Sequence, residues 1–528
     1  MDRLIRHGFG ALVLLTGCAT SAEHAPSEAR QEIAAESDIS ENIDAPAAQI
    51  VPGASAACAA GTARAPASGL RIREVALYQT IKVPLVQNGA WVSARPVMVV
   101  QNKRALVRVF VDAIAGYRPR PLRGTLTLQN GGTSTELVSA RSLTASSTDE
   151  APDSTFTFDV PAAQIGPSTQ LSIALTEPEC SSAAPAAAAD TRFPASGLQA
   201  LGANQTGKLK VVLVPISVAG RAPQITETDL NNVRDVLLSY YPVPTVEVSV
   251  RNRPLVWSTA VTGADSRAWS SIVNALVRER GTDRPSSDTY YYGVMQPAAT
   301  MATFCSRGCI AGMAPQNTRV QPSTQVGLSV FYPGGSAAAM VSAAEIIVHE
   351  LGHAHGRGHA PCVTGNGTIQ GVDRNYPVTG GNIGTWGWNS RTGVFNAPTH
   401  KDVMGYCRPN WISAYTYQAL ALRSQSVNIN RAFIHMPGPS VRWQNLIAYS
   451  DGTNRWGGTS ELGAPGGDPE PARVLDAAGN VIDDVEVVRT ELSHTADEFF
   501  FIPEPGKDWA KLALRDREIV LSDVAAPL

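Results

Sequence analysis

At 528 residues the chain is long enough for several domains, and its 44% hydrophobic content is ample for packed cores. A net charge of −3 gives no basic footprint, so a nucleic-acid partner is not expected.

The first residues read as an export signal. Arg3 and Arg6 precede an apolar run from Phe9 to Leu15, too short to span a bilayer permanently, and Leu15-Thr16-Gly17-Cys18 follows. This stretch resembles a bacterial lipobox. The resemblance implies a signal peptide over 1–17 cleaved before Cys18, whose thiol would carry a lipid anchoring the chain to a membrane. Ala19 is not the aspartate that commonly retains lipoproteins in the inner membrane, so the expected location is exported and lipid-anchored to the cell envelope, at the outer membrane. Residues 18–66, dominated by Ala, Ser, Glu and Pro, lack the apolar surface needed to fold and read as a disordered tether. As a flexible coil such a tether would reach roughly 40 Å.

Residues 67–182 alternate apolar and polar positions in short runs, such as Val107-Arg108-Val109-Phe110-Val111-Asp112. This predicts an Ig-like β-sandwich. Asn130-Gly131-Gly132, between runs at 124–129 and 134–143, predicts a hairpin turn. An alanine-rich linker, 183–189, follows.

The next region, 191–426, mixes strands and helices. Strands are expected at 208–215, 245–250, 290–295 and 327–332, and a helix at 227–240 opens with Thr226 and Asp229 in capping-box spacing. A further helix is expected around 411–423. Between them lies the segment His349-Glu350-Leu351-Gly352-His353-Ala354-His355-Gly356-Arg357-Gly358-His359. Residues four apart share one helix face, so His349 and His353 can aim imidazole nitrogens at one ion. Gly356 can adopt the left-handed conformation that ends the helix, and the bend brings His359 back as third ligand. Three neutral histidines leave a zinc ion its full charge, which acidifies a bound water toward neutrality. Glu350, beside the ligands, stands where a general base is needed. His355 points off the metal face and reads as a supporting or a surface histidine rather than a ligand. The reaction class is amide hydrolysis without a covalent intermediate.

Through His349, Glu350, His353, Gly356, His359 and the turn at Met404 the chain resembles the metzincin clan of zinc metalloproteases. The resemblance implies that Met404 forms a hydrophobic floor under the ligands. It also matches Tyr406 to a tyrosine that astacin-like and serralysin-like members place near the metal, as a fifth ligand or as a hydrogen-bond donor to the tetrahedral oxyanion. By the same resemblance the strand at 327–332 would be the edge that pairs with an extended substrate, with an ordinary inner strand as the alternative. Asp402-Val403-Met404-Gly405-Tyr406-Cys407 and the following Pro409-Asn410-Trp411-Ile412-Ser413 look like secreted bacterial mucin-cleaving metalloproteases of the StcE type. The glycine- and asparagine-rich stretch between His359 and Met404 carries Trp386 and Trp388, which either contact substrate or anchor the loop.

Setting Cys18 aside, six cysteines remain, an even number compatible with three disulfides in an oxidising compartment. Cys58 with Cys180 would clasp the ends of the N-terminal folded region. The pairing of Cys305, Cys309, Cys362 and Cys407 is left open. Cys58 as a metal ligand in a latent proenzyme is the weaker alternative, since its alanine-rich surroundings lack a cysteine-switch context. Residues 427–528 return to strand patterning, at 443–449 and 498–502 with a turn at Gly479-Asn480, and predict a small β accessory domain.

The expected fold is therefore multidomain, a metzincin-like α/β (α+β) catalytic domain between an N-terminal β-sandwich and a C-terminal β domain. The expected function is zinc-dependent endoproteolysis of extracellular protein or glycoprotein substrates. The alternatives are a latent or inactive surface adhesin on the same scaffold and a zinc-stabilised structural lipoprotein.

Overall fold

The computed structural model describes residues 57–182, 189–306, 309–316, 322–363, 369–429, 441–462, 465–504 and 508–524. Cys18, the signal segment and most of the alanine-rich linker lie outside them. Among the described residues the protein is multidomain and β-rich, with five α-helices: α1 (Glu227–Tyr240), α2 (Ser266–Asp283), the short α3 (Met301–Phe304), α4 (Ala337–Ala354) and α5 (Ala414–Asn428).

Two antiparallel sheets face each other in the N-terminal region. One pairs Leu70–Gln79 with Ile81–Gln87 and Ala105–Ala113, and Ala105–Ala113 with Phe156–Val160. The other runs through Ala63–Pro66, Gln170–Ser181, Arg120–Asn130 and Thr133–Leu143. Period-2 alternation drives the packing. Val75, Leu77, Val107 and Val109 from one sheet share a core with Leu122, Leu126, Leu128 and Ile173 from the other. The sheets approach so closely that a Cβ on Gly124 would lie 2.8 Å from the Phe156 ring. The hairpin turn is tight: Asn130 pairs with Thr133, and Gly131 and Gly132 take φ of 57° and 87°.

The expected tether ends earlier than residue 66. Ala63–Pro66 is a strand on Gln170–Ser181, held in place by the Cys58–Cys180 disulfide. That bond closes a loop of 122 residues and, on loop-closure entropy, contributes about 5 kcal/mol. The N-terminal body also extends past residue 191, because Arg192–Phe193 and Gln199–Ala200 pair with the same strand and Leu201 joins its core.

The central region is built on a sheet ordered Val246–Val250, Leu209–Val218, Thr289–Met295, Val326–Val330, Gly312–Met313. The first four strands are parallel and the last is antiparallel. Inner parallel strands are covered on both faces, which is why Val326–Val330 is buried at every position, Gly327 and Ser329 included. This corrects the expectation of a substrate-facing edge at 327–332. That strand is internal, and Gly312–Met313 takes the edge. Leu213, Tyr292 and Val294 face one side with α1 and α4, while Val214, Ile216, Tyr291 and Met295 face the other with α2. The capping box at α1 forms, with the Thr226 side chain accepting from the Asp229 N–H and Asp229 accepting from the Thr226 N–H.

Trp386 and Trp388 anchor a loop. They are buried with Tyr78, Phe110 and Phe395 against the N-terminal sheet, which Gly387–Trp388 extends by pairing with Ile81. A Cβ on Gly387 would lie 2.3 Å from Trp411, so only glycine admits this approach.

The C-terminal region is one antiparallel sheet of seven strands, from Asn454–Leu462 at one edge to Arg517–Val520 at the other. Its face bearing Trp443, Ile447, Phe499 and Phe501 packs on α2. Helix α2 is thereby covered on both sides, which explains its nearly unbroken burial from Ala268 to Val277. Its polar positions are met from the C-terminal sheet: Ser270 donates to Asp497 at 2.7 Å, and Asn274 donates to the Gly457 carbonyl at 2.7 Å. This docking carries the turn at 492–497 to the end of α4.

Candidate metal centre

Helix α4 starts at Ser336, whose hydroxyl caps the Ala339 N–H, and buries Ala344, Ile347, Val348 and Leu351 in the core. It ends where Gly356 takes φ of 85°, and the chain turns back. The His359 N–H then donates to the Gly371 carbonyl and the Asp373 N–H to the His359 carbonyl, seating His359 on the loop at 371–373. His353 Nε2 thus lies 3.1 Å from His349 Nε2 and 3.1 Å from His359 Nε2.

The outer nitrogen of each ring is engaged. The Nδ1–H groups of His349, His353 and His359 donate to the carbonyls of Val403, Arg357 and Gln370. This assigns the tautomers and turns three Nε2 lone pairs toward one point. Burial pushes the pKa of His349 down and those of His353 and His359 well down, with repulsion between neighbouring rings adding to the last two. Three neutral acceptors converging with no proton between them fit a cation and little else. The donor set suits a divalent transition metal.

Met404, 2% exposed, packs against helix α4 at Gly352. A Cβ on Gly352 would stand 2.4 Å from its sulfur, so the glycine inside the histidine motif is required for Met404 to pack there. The turn itself hangs on Asp402. This fully buried carboxylate accepts from the N–H groups of Met404 and Ser413 and from the Thr416 hydroxyl. Cys362–Cys407 fastens the turn to the chain just after His359, and the Tyr406 N–H donates to the Cys362 carbonyl. The Tyr406 hydroxyl consequently sits 3.2 Å from His359 Nε2. Burial, and then the Glu350 carboxylate, hold this phenol well above its ordinary pKa. The remaining disulfide is Cys305–Cys309. With Cys58 bonded to Cys180, no cysteine among the described residues is left to ligate the centre.

Glu350 is fully buried and reaches the centre past Gly312, where a Cβ would be 2.5 Å from its carboxylate. His355 is buried away from the metal face. It stacks on Tyr290 at 4.5 Å, its Nδ1 donates to the Leu351 carbonyl, and burial lowers its pKa to about 3.

The fourth wall was not foreseen from the sequence. His494, on the C-terminal turn, donates from Nε2 to Glu350 Oε1 at 2.9 Å and accepts at Nδ1 from the Tyr406 hydroxyl at 2.5 Å. Ser493 donates to the other oxygen, Glu350 Oε2, at 3.1 Å. His349, His353, His359 and His494 thus form one group able to hold a metal, with ligand atoms all within 4.8 Å of one another. Leu492-Ser493-His494-Thr495 carries no recognisable spacing and lies 144 positions from Glu350, so only its docking reveals it. Gly312 was equally silent in sequence, and Asp402 stands out there only as part of the stretch around Met404, with no role of its own.

A cavity of about 50 Å³ opens beside His349 between α4 and the Met404 turn, its wall carrying the Glu345–Arg408 ion pair at 2.7 Å. Two larger cavities, near Arg71 and Arg192 and near Arg267 and Arg517, touch none of these histidines.

Comparison of the chain with protein-family models gives no match, and comparison with curated proteins gives none either. Among the described residues no helix is long and apolar enough to cross a membrane, and the three disulfides are consistent with an exported protein.

Proposed function

We propose that the chain is a zinc-dependent endopeptidase of the metzincin type, acting on extracellular proteins or glycoproteins. The observation that carries this reading is the convergence of His349, His353 and His359 through Nε2 beside the Glu350 carboxylate and the Tyr406 phenol. A zinc ion held by these three imidazoles would polarise the scissile carbonyl and lower the pKa of the attacking water.

The chain's own groups account for the proton movements. Glu350 takes a proton from the water as its oxygen bonds to the carbonyl carbon, then delivers that proton to the amine nitrogen as the C–N bond breaks. Tyr406 stays protonated through the neutral range, because burial disfavours the phenolate, and can donate a hydrogen bond to the developing oxyanion. The histidines remain neutral at the same pH, as ligation requires. The cavity beside His349 would take a small side chain next to the cleaved bond. The lipid anchor at Cys18, its outer-membrane address and the likeness to mucin-cleaving enzymes belong to the same proposal and rest on sequence resemblance.

The test is mapping of new amino termini by mass spectrometry after incubation with secreted and glycosylated proteins, comparing the chain with Glu350→Ala. Removing the base should lower turnover by about 10²–10⁴-fold with zinc content unchanged. Equal cleavage by the two would sink the mechanism. No cleavage by either, with zinc bound, would favour the binding-scaffold alternative.

A further inference from the structure

The segment 491–494 runs antiparallel against 314–316, directly beyond the edge strand Gly312–Met313. The Gln316 N–H donates to the Glu491 carbonyl and the Ser493 N–H to the Ala314 carbonyl, each at 2.9 Å, and Pro315 pairs with Leu492. The Ala314 N–H adds a bond to the Ser493 hydroxyl at 2.9 Å. Main-chain pairing at a sheet edge is how an extended peptide is captured. Here the edge beside Glu350 is already taken by the chain itself.

At the end of that pairing the chain turns into the centre. His494 holds φ of 63°, an uncommon conformation for a residue with a Cβ, and Asp497 fixes the turn by accepting from the Ser450 N–H at 2.9 Å and from Ser270. The ring of His494 lies with its centroid 5.3 Å from that of His349, 5.5 Å from His353 and 4.9 Å from His359. The three motif rings are 4.5 to 5.3 Å from one another, so the four surround one point almost evenly. Both Glu350 oxygens and the Tyr406 hydroxyl are bonded to this turn.

We propose that residues 491–494 are a built-in occupant of the substrate-strand site, and that His494 supplies a fourth nitrogen to the metal, closing the centre in the resting chain. The proposal rests on the metal-dependent hydrolase reading. Ligation by either nitrogen of His494 replaces one of its two hydrogen bonds, to Glu350 or to Tyr406. A small rotation suffices, since the ligand atoms already lie within 4.8 Å. The C-terminal sheet is docked on α2 through Trp443, Phe499 and Phe501, so the element that must move aside for a substrate is the turn alone, not the domain.

Zinc-edge X-ray absorption on the full chain and on His494→Ala tests the ligand, with His494→Gln as a second variant that preserves side-chain bulk. The expected result is four imidazole scatterers in the native chain and three in each variant. An unchanged imidazole count in the variants overturns the proposal and leaves the three-histidine site intact, whereas a native chain that binds no zinc at all removes the reading beneath both. Occupancy of the edge is measured separately, by titrating a peptide ending in a hydroxamate. Its affinity should rise at least about tenfold in His494→Ala, because the free fraction of the site sets the apparent constant. Equal affinities would overturn the occupancy.

Discussion

The centre is assembled by two arms of different character. One is local: α4 and the turn at Gly356 deliver His349, Glu350, His353 and His359 from a single stretch of chain. The other is remote: the turn at 492–497 delivers Ser493 and His494 through a sheet that reaches the site only by packing on α2. In the local arm the geometry follows from helix periodicity and one left-handed glycine, whereas in the remote arm it follows from the fit of two surfaces. The two arms should therefore fail differently, one by losing its metal and the other by altering what covers it.

The largest effect is expected in the local arm. His359→Ala removes one of three convergent nitrogens, and zinc affinity measured by competition with a chelator should fall by more than the 10- to 100-fold typical of losing a residue that merely supports a ligand. Unchanged affinity would take His359 out of the ligand set. Gly352→Ala comes next. Its added methyl meets the Met404 sulfur, and overpacking of about 1–3 kcal/mol outweighs the roughly 1 kcal/mol that alanine gains over glycine in a helix. Denaturant unfolding should show a net loss of stability together with weaker zinc binding, and a stabilised variant would mean that Met404 does not pack against Gly352.

The remote arm should respond more gently. Asp497→Ala leaves the Ser450 N–H without its acceptor, while the Ser270 hydroxyl falls back on the Ser266 carbonyl at 3.0 Å, costing about 1–3 kcal/mol. It should loosen the turn while the three motif histidines keep zinc. If zinc content fell as far as in His359→Ala, the distinction between the arms would collapse.

The smallest effect, taken over the first pH unit below 6.5, comes from His355. His355 is held at about 3 in the folded chain, against about 6.5 when unfolded, so the folded state binds fewer protons between those values. Its contribution to stability is complete above pH 6.5 and is lost as pH falls toward 3, amounting to about 1 kcal/mol over the first unit. His355→Phe should flatten the acid limb of a stability curve by that amount, and an identical slope would show that the ring does not titrate from a buried state.

Sequence alone determined what depends on near neighbours. The histidine spacing, the glycine that ends α4, the capping box at Thr226 and the two-residue turn at Gly131-Gly132 are set by backbone periodicity and by the few conformations open to each residue. The Cys58–Cys180 bond was also legible, because each cysteine lies at an end of one folded region. Tertiary structure decided the rest. A short strand such as Val326–Val330, Val-Gly-Leu-Ser-Val, reads the same whether it borders a cleft or lies inside a sheet, so strand order made Gly312–Met313 the edge. The roles of Trp386 and Trp388 depended on a surface contributed by the N-terminal sheet, and the pairing of the four central cysteines on which loops lay together. His494 is the extreme case. Nothing in its neighbours marks it, since a residue placed by the docking of a distant sheet takes its role from shape complementarity over many side chains, which no short stretch of sequence encodes.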